Sequence, residues 1–125
     1  MNNIMAQENA GSKTLNAMEE HLAVPIVSIM DDDMIVRISE IEILPEHLET
    51  YKSILKEESA ASVKLEAGVI SIFPMWIKDK PNQIRIVEIY KNQAAYKSHI
   101  ASPHFQHYKT STLKMVKDLK LIDMS

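Results

Sequence analysis

No cysteine occurs in the chain, and only two glycines do, Gly11 and Gly68. The first absence excludes disulfides, thiolate nucleophiles and cysteine-held metals. The second excludes a glycine-rich phosphate loop, and no nucleotide fingerprint or G-x-S-x-G nucleophile elbow is present. No apolar run approaches the roughly 20 residues of a membrane-spanning helix. Met1 to Lys13 is polar and lacks the apolar stretch of a signal peptide. The chain therefore reads as cytoplasmic, a reading that a longer exported precursor would share. Basic residues are not in excess either. Lys and Arg number 14 against 17 Asp and Glu, a net charge of −3, whereas nucleic-acid binding needs a concentrated basic surface.

What is present is an ordinary globular composition, 46% hydrophobic and 25% charged over 125 residues. That is enough for one compact domain. Residues 1–33 stand apart as a polar tail and an extended arm, with Pro25 in the apolar run Ala23 to Met30 and the like charges Asp31-Asp32-Asp33 after it. The domain proper spans 34–125. Met34 to Leu44 is β-branched and alternating, a strand whose apolar phase changes midway, as a bulge or burial on both faces would produce. Pro45 ends it and suits a first helical turn. Leu48, Tyr51, Ile54/Leu55, Ala61 and Leu65 then mark an amphipathic helix over Glu46 to Leu65, with Gly68 free for a left-handed cap. Val69 to Ile77 is a second strand, in which Pro74 marks an edge position or a bulge. Lys78 to Asn82 is a turn, and Gln83 to Tyr90 a third strand. Asn92 caps a helix to about Ile100. Ser102-Pro103 breaks it and starts another, Ser102 as N-cap and Pro103 at N1, running to about Val116. Leu119 to Met124 is the last strand.

The order β-α-β-β-α-β predicts an α+β, ferredoxin-like fold, an antiparallel sheet with helices on one face. Strands one and two are apolar on both faces, so the other face needs a cover. The simplest cover is a second copy, sheet against sheet. Burial alone thus predicts a homodimer.

Three histidines crowd one segment: His99, His104 and His107. Imidazole suits several transition metals, but His99 lies beyond the Ser-Pro break and no acid at the neighbouring turn completes a set, so no metal site is expected. Proton chemistry fits better, since a histidine beside an apolar cavity can exchange a proton near neutral pH. Glu88 shares a strand face with Ile84, Ile86 and Tyr90. A carboxylate in an apolar row needs a partner, and a histidine from the second helical region is the expected one. Arg37 and Ser39 share a face of the first strand. Phe73 and Trp76 lie in the second and could stack on a flat ligand, with Arg37 holding an anionic oxygen. The bland alternative is core aromatics, a surface arginine and structural histidines.

The runs Arg85-Ile86-Val87-Glu88-Ile89-Tyr90, Gln93-Ala94-Ala95-Tyr96 and His99-Ile100-Ala101-Ser102-Pro103-His104-Phe105 resemble the pattern of the antibiotic-biosynthesis-monooxygenase domain. The resemblance covers about Met34 to Ser125 and implies a ferredoxin-like protomer in a dimeric α+β barrel. It further implies a cofactor-independent monooxygenase acting with O2 on a small aromatic quinol-like molecule. His99, His104 and Glu88 would then be catalytic, and Arg37, Ser39, Phe73, Trp76, Tyr90, Phe105 and Tyr108 would bind substrate. Haem-degrading members use an Asn, a Trp and a His where this chain has Ser39, His99 and Lys109, which argues against that activity. Isomerisation of a small dione, as in enzymes related to autoinducer-2 processing, is the alternative within the superfamily. A non-catalytic small-molecule-binding dimer is the alternative outside enzymes.

Overall fold

The structure is a computed structural model and describes residues 33–125. The expected N-terminal arm lies, but for Asp33, outside the described residues. Four strands and three α-helices follow in the order β1 (Ile35–Ile43), α1 (Leu48–Leu65), β2 (Val69–Ile77), β3 (Lys80–Tyr90), α2 (Gln93–Ile100), α3 (Pro103–Thr112) and β4 (Val116–Met124). The sheet is antiparallel, with spatial order β2-β3-β1-β4. This is the ferredoxin-like split βαβ plan.

Strand alternation sorts the sheet into two faces. On the helix-covered face, register aligns Ile72, Glu88, Arg37 and Asp123 in one row across all four strands. Pro74, Ile86, Ser39 and Leu121 form the next row, and Trp76, Ile84, Ile41 and Leu119 the one after. The core lies here: Ile41, Ile43, Ile84, Ile86 and Tyr90 of the sheet pack against Tyr51 and Leu55 of α1. On the other face, Phe73, Val87, Ile38 and Ile122 make a row, flanked by Ser71, Ile89, Val36 and Met124.

Several local expectations are corrected. The β1 phase change is not a bulge: pairing runs in unbroken register from Val36 to Glu42, so Ile38 and Ile41 lie on opposite faces, and the register shift against β4 comes later, between Glu42 and Ile43. The β2–β3 turn is tighter than expected, because Asp79 takes a positive φ of 71°, a conformation that Asp tolerates better than most residues. Hence β3 starts at Lys80 and takes in Pro81 near its beginning, where a missing N–H matters least. Helix α3 stops at Thr112, and β4 begins at Val116. Leu65 does not belong to the buried stripe of α1; it is 68% exposed. The stripe continues instead through Glu58 and Ser62, both buried. Gly68 does not adopt the left-handed conformation. It is small for another reason: a Cβ there would lie 2.5 Å from the Cβ of Ala95. The close approach of β2 to the start of α2 depends on it.

Candidate functional site

Between α1, the α2–α3 corner and the sheet lies a cavity of about 150 Å³. Its floor is the inward row of β1 and β3: Arg37, Ser39, Ile41, Ile86, Glu88 and Tyr90. Its walls come from Leu55 and Glu58 of α1, from Tyr96, His99 and Ile100 of α2, and from Phe105 and Tyr108 of α3. Leu119 and Leu121 of β4 also line it and are about half exposed, so the mouth opens at the β4 side.

The corner that carries the histidines is built by one hydroxyl. Ser102 Oγ donates to the His99 carbonyl at 2.6 Å and accepts from the Phe105 N–H at 3.2 Å. It thereby joins the end of α2 to the start of α3. Asn92 caps α2 through the Ala95 N–H, fixing where His99 falls on the helix. His99 is 2% exposed, packed between the rings of Tyr90 and Phe105 with centroids 5.2 and 5.0 Å away.

The expected partnership of Glu88 with a histidine does not occur. Glu88 accepts hydrogen bonds from Ser39 Oγ and from the Tyr90 hydroxyl, the latter at 2.7 Å. Both donors lie on the same sheet face, so neighbouring strand residues satisfy this carboxylate before α2 can reach it. The histidines turn to another acid. His99 Nδ1 lies 3.0 Å from Glu66 Oε2, and His104 Nε2 bonds the same oxygen. His99 Nε2 stands 3.6 Å from Glu58 Oε2. Glu58 is in turn held by Ser62 Oγ, which donates at 2.8 Å. The absence of an acid near the histidines, expected from local sequence, is thus overturned. The C-cap residue of α1 brings Glu66 to them, and the donor atoms of Glu66, His99 and His104 all lie within 4.8 Å of one another. His107 takes no part; it is exposed and reaches only Ser111.

Electrostatics separate the roles of these groups. Burial raises the Glu58 carboxyl above its ordinary range; the Ser62 bond and the two histidines only partly offset this. Burial, reinforced by Glu88, raises the Tyr90 phenol far above its ordinary value, and burial pushes Tyr108 up to about 12. Both stay protonated donors at neutral pH. Burial works against the Arg37 charge, but the Tyr96 hydroxyl and the Asp123 carboxylate outweigh it. Arg37 donates to each of them at 2.9 Å. With its oxygen accepting from Arg37, Tyr96 has its own proton free to donate.

Of the residues expected at the site, Arg37, Ser39, Glu88, Tyr90, His99, Phe105 and Tyr108 line the cavity. His104 stands behind His99, joined through Glu66. Phe73 and Trp76 are misplaced by the expectation. Phe73 points to the opposite sheet face and is 60% exposed. Trp76 lines a separate groove with Lys52, Lys56, Ser59 and Pro74. Glu58 and Glu66 were missed; Glu58 falls where the helical stripe of Tyr51 and Leu55 continues, whereas Glu66 is the extended C-cap residue beyond the helix. A polar residue at a position where the stripe demands an apolar one was the available signal for Glu58.

The family model for antibiotic biosynthesis monooxygenases matches residues 34–111. The chain belongs to this family. A Bacteroides thetaiotaomicron protein provisionally named an antibiotic biosynthesis monooxygenase is 50% identical, with TM-score 0.74, over 75% of this chain and 90% of its own. A provisionally named monooxygenase from Lactobacillus acidophilus is 26% identical, with TM-score 0.73, over 76% of this chain but 45% of its own. A Nitrosomonas europaea protein, at 17% identity and TM-score 0.70 over 74% of this chain and 89% of its own, shares the fold. None of the curated proteins matches the chain. Among the described residues no helix is long and apolar enough to cross a membrane.

Proposed function

We propose that the chain is a cofactor-independent monooxygenase of a small phenol or hydroquinone, working as a homodimer with His99 as its base. Family membership and the monooxygenase names of its structural neighbours support a general monooxygenase-like, oxidoreductase role. The observation that carries the finer reading is His99 itself, buried in the wall of a largely apolar cavity with a carboxylate on each nitrogen side. An ionised carboxylate only accepts hydrogen bonds, so Glu66 holds the proton on Nδ1 and leaves Nε2 able to accept one. The logic is that of a histidine base oriented by an acid. About 150 Å³ is the size of an engineered apolar cavity that takes up benzene, so one aromatic ring fits better than a polycycle.

His99 Nε2 takes the phenolic proton, and Tyr96, braced by Arg37, donates to the developing anion. The phenolate gives an electron to O2, and the two radicals join in a C–O bond at a hydrogen-bearing ring carbon, para to the oxygen in a simple phenol and ortho to it in a hydroquinone. His99 returns its proton to the resulting peroxide. Loss of the C–H proton with cleavage of the O–O bond leaves a quinone carbonyl and releases water. One oxygen atom enters the product, one leaves as water, and the substrate supplies all the electrons.

Oxygen uptake with single-ring hydroquinones and phenols tests this. Uptake should fall by at least about 100-fold in His99→Gln, as expected for loss of a general base, and ¹⁸O2 should label the product with one atom. Unchanged uptake in the variant, or uptake with no substrate tried, would refute the reading. For the dimer, the apolar rows on the sheet face away from the helices are the support, since no described element packs on them. The L. acidophilus chain, of which this one covers under half, has the length for two such domains.

A further inference from the structure

We propose that Glu66, His99 and His104 form a site for a divalent transition metal of the zinc type. The base role of His99 uses Glu66 on Nδ1 and leaves His104, bonded to the same Glu66 oxygen, without a task. Two imidazole nitrogens and one carboxylate oxygen converge with no pair of donors more than 4.8 Å apart. Nitrogen and oxygen donors in this number are those of open zinc sites, in which three protein ligands leave a position for water. They also suit the neighbouring transition metals.

Four further observations fit a metal. The ligands come from rigid places, the C-cap of α1, the last turn of α2 and the first turn of α3, and Ser102 ties the two histidine-bearing helices together. The outer shell is in place: with Nδ1 of His99 on the ion, Nε2–H points to Glu58 at 3.6 Å, and Ser62 holds that carboxyl. A second carboxylate behind a ligating histidine is the usual arrangement that orients such a ligand. An entry path exists, because Glu66 and His104 are partly exposed while His99 is the inner ligand. Finally, the three side chains already share hydrogen bonds through a single oxygen, Glu66 Oε2, so an ion would replace shared protons with little movement of the backbone.

One corollary rests on the proposed function. Metal on Nδ1 forces the ring proton to Nε2, where the base needs a lone pair. The ion and the base role exclude each other, so zinc would inhibit oxygen uptake.

The site is tested by binding, independently of turnover. Full-length untagged protein is titrated with Zn²⁺ in competition with a chromophoric chelator, and with Co²⁺ followed by visible absorption. One ion per chain is expected, with a Co²⁺ spectrum of low coordination number. His104→Ala and Glu66→Gln, both at partly exposed positions and checked for folding by circular dichroism, should each weaken binding at least tenfold. Glu58→Gln should weaken it by about 10–100-fold, as outer-shell losses do. Absence of saturable Zn²⁺ binding overturns the proposal. So does equal affinity in wild type and in the His104 and Glu66 variants, which would place the ion elsewhere.

Discussion

Gly68→Ala is the substitution whose cost the structure lets one work out most directly. The added Cβ would sit 2.5 Å from the Cβ of Ala95, where ordinary contact begins at 3.4 Å. The partner atom is a Cβ fixed to a helix backbone, so no side-chain rotation relieves the clash. The start of β2 and the start of α2 must part by roughly 1 Å in a close-packed region. Overpacking of this kind costs about 1–3 kcal/mol. Against it stands a gain of about 0.4–1 kcal/mol from a stiffer unfolded chain. The net expectation is destabilisation by about 1–2 kcal/mol, a fall in Tm of roughly 4–15 °C for a domain of this size. Urea denaturation should show a lower midpoint at unchanged m. The decisive control is Ala95→Gly, which removes the opposing atom. Alone it costs about 0.5–1 kcal/mol as a helix glycine. Combined with Gly68→Ala it should restore about 1 kcal/mol relative to the sum of the single variants. Strict additivity, or a neutral Gly68→Ala, would refute the steric argument. Glu66 lies two residues before Gly68 and His99 four after Ala95, so the same substitution should loosen the Glu66–His99 pair.

Further predictions follow from the carboxylates and the sheet. Burial raises the Glu58 carboxyl above its unfolded value of 4.5, so the folded state holds its proton more tightly than the unfolded one. Its contribution to stability is therefore complete below about pH 4.5 and declines as pH rises through the raised folded value. Glu58→Gln should gain stability relative to wild type as pH climbs from 4.5 to 8; a flat difference in denaturation midpoints across that range would contradict it. Tyr90→Phe removes a donor from Glu88 and should cost about 1–3 kcal/mol in chemical denaturation, the penalty for an under-partnered, partly buried acceptor; Ser39→Ala should act in the same direction. Ile38→Asp puts a charge in the centre of the Phe73–Val87–Ile38–Ile122 row and should turn the proposed dimer into a monomer in sedimentation, whereas a dimer unchanged by it would move the interface elsewhere.

The fold was legible because its signals are local. β2 has the bounds Val69–Ile77 that its composition suggested, and Asn92 and Ser102 cap the helices they were expected to cap. The site was legible only in part. Strand parity places Arg37, Ser39, Glu88 and Tyr90 on one face, and parity alone would have separated Phe73 from Trp76, since residues three apart in a strand point opposite ways. Glu66 could not be read as a partner of His99 and His104 from their neighbourhood, because the contacts span 33 and 38 positions. They arise only when α1 packs beside the α2–α3 corner. Likewise Glu88 found Ser39 across 49 positions, through the β1–β3 register and not through a helix.

The strand order has a consequence for biogenesis. β1 is the first described strand to be synthesised, yet it sits inside the sheet, paired with β3 from Ile35 opposite Tyr90 and with β4 from Val36 opposite Met124. Its outer neighbour emerges last. Throughout translation Ile35–Ile43 therefore waits with one hydrogen-bonding edge open, and long-range pairings of this kind close slowly. A nascent chain halted before Val116 would present that edge, rich in isoleucine, as a template for pairing with other chains. For this protein the residues after Thr112 decide whether the nascent chain is a folding intermediate or an aggregation hazard.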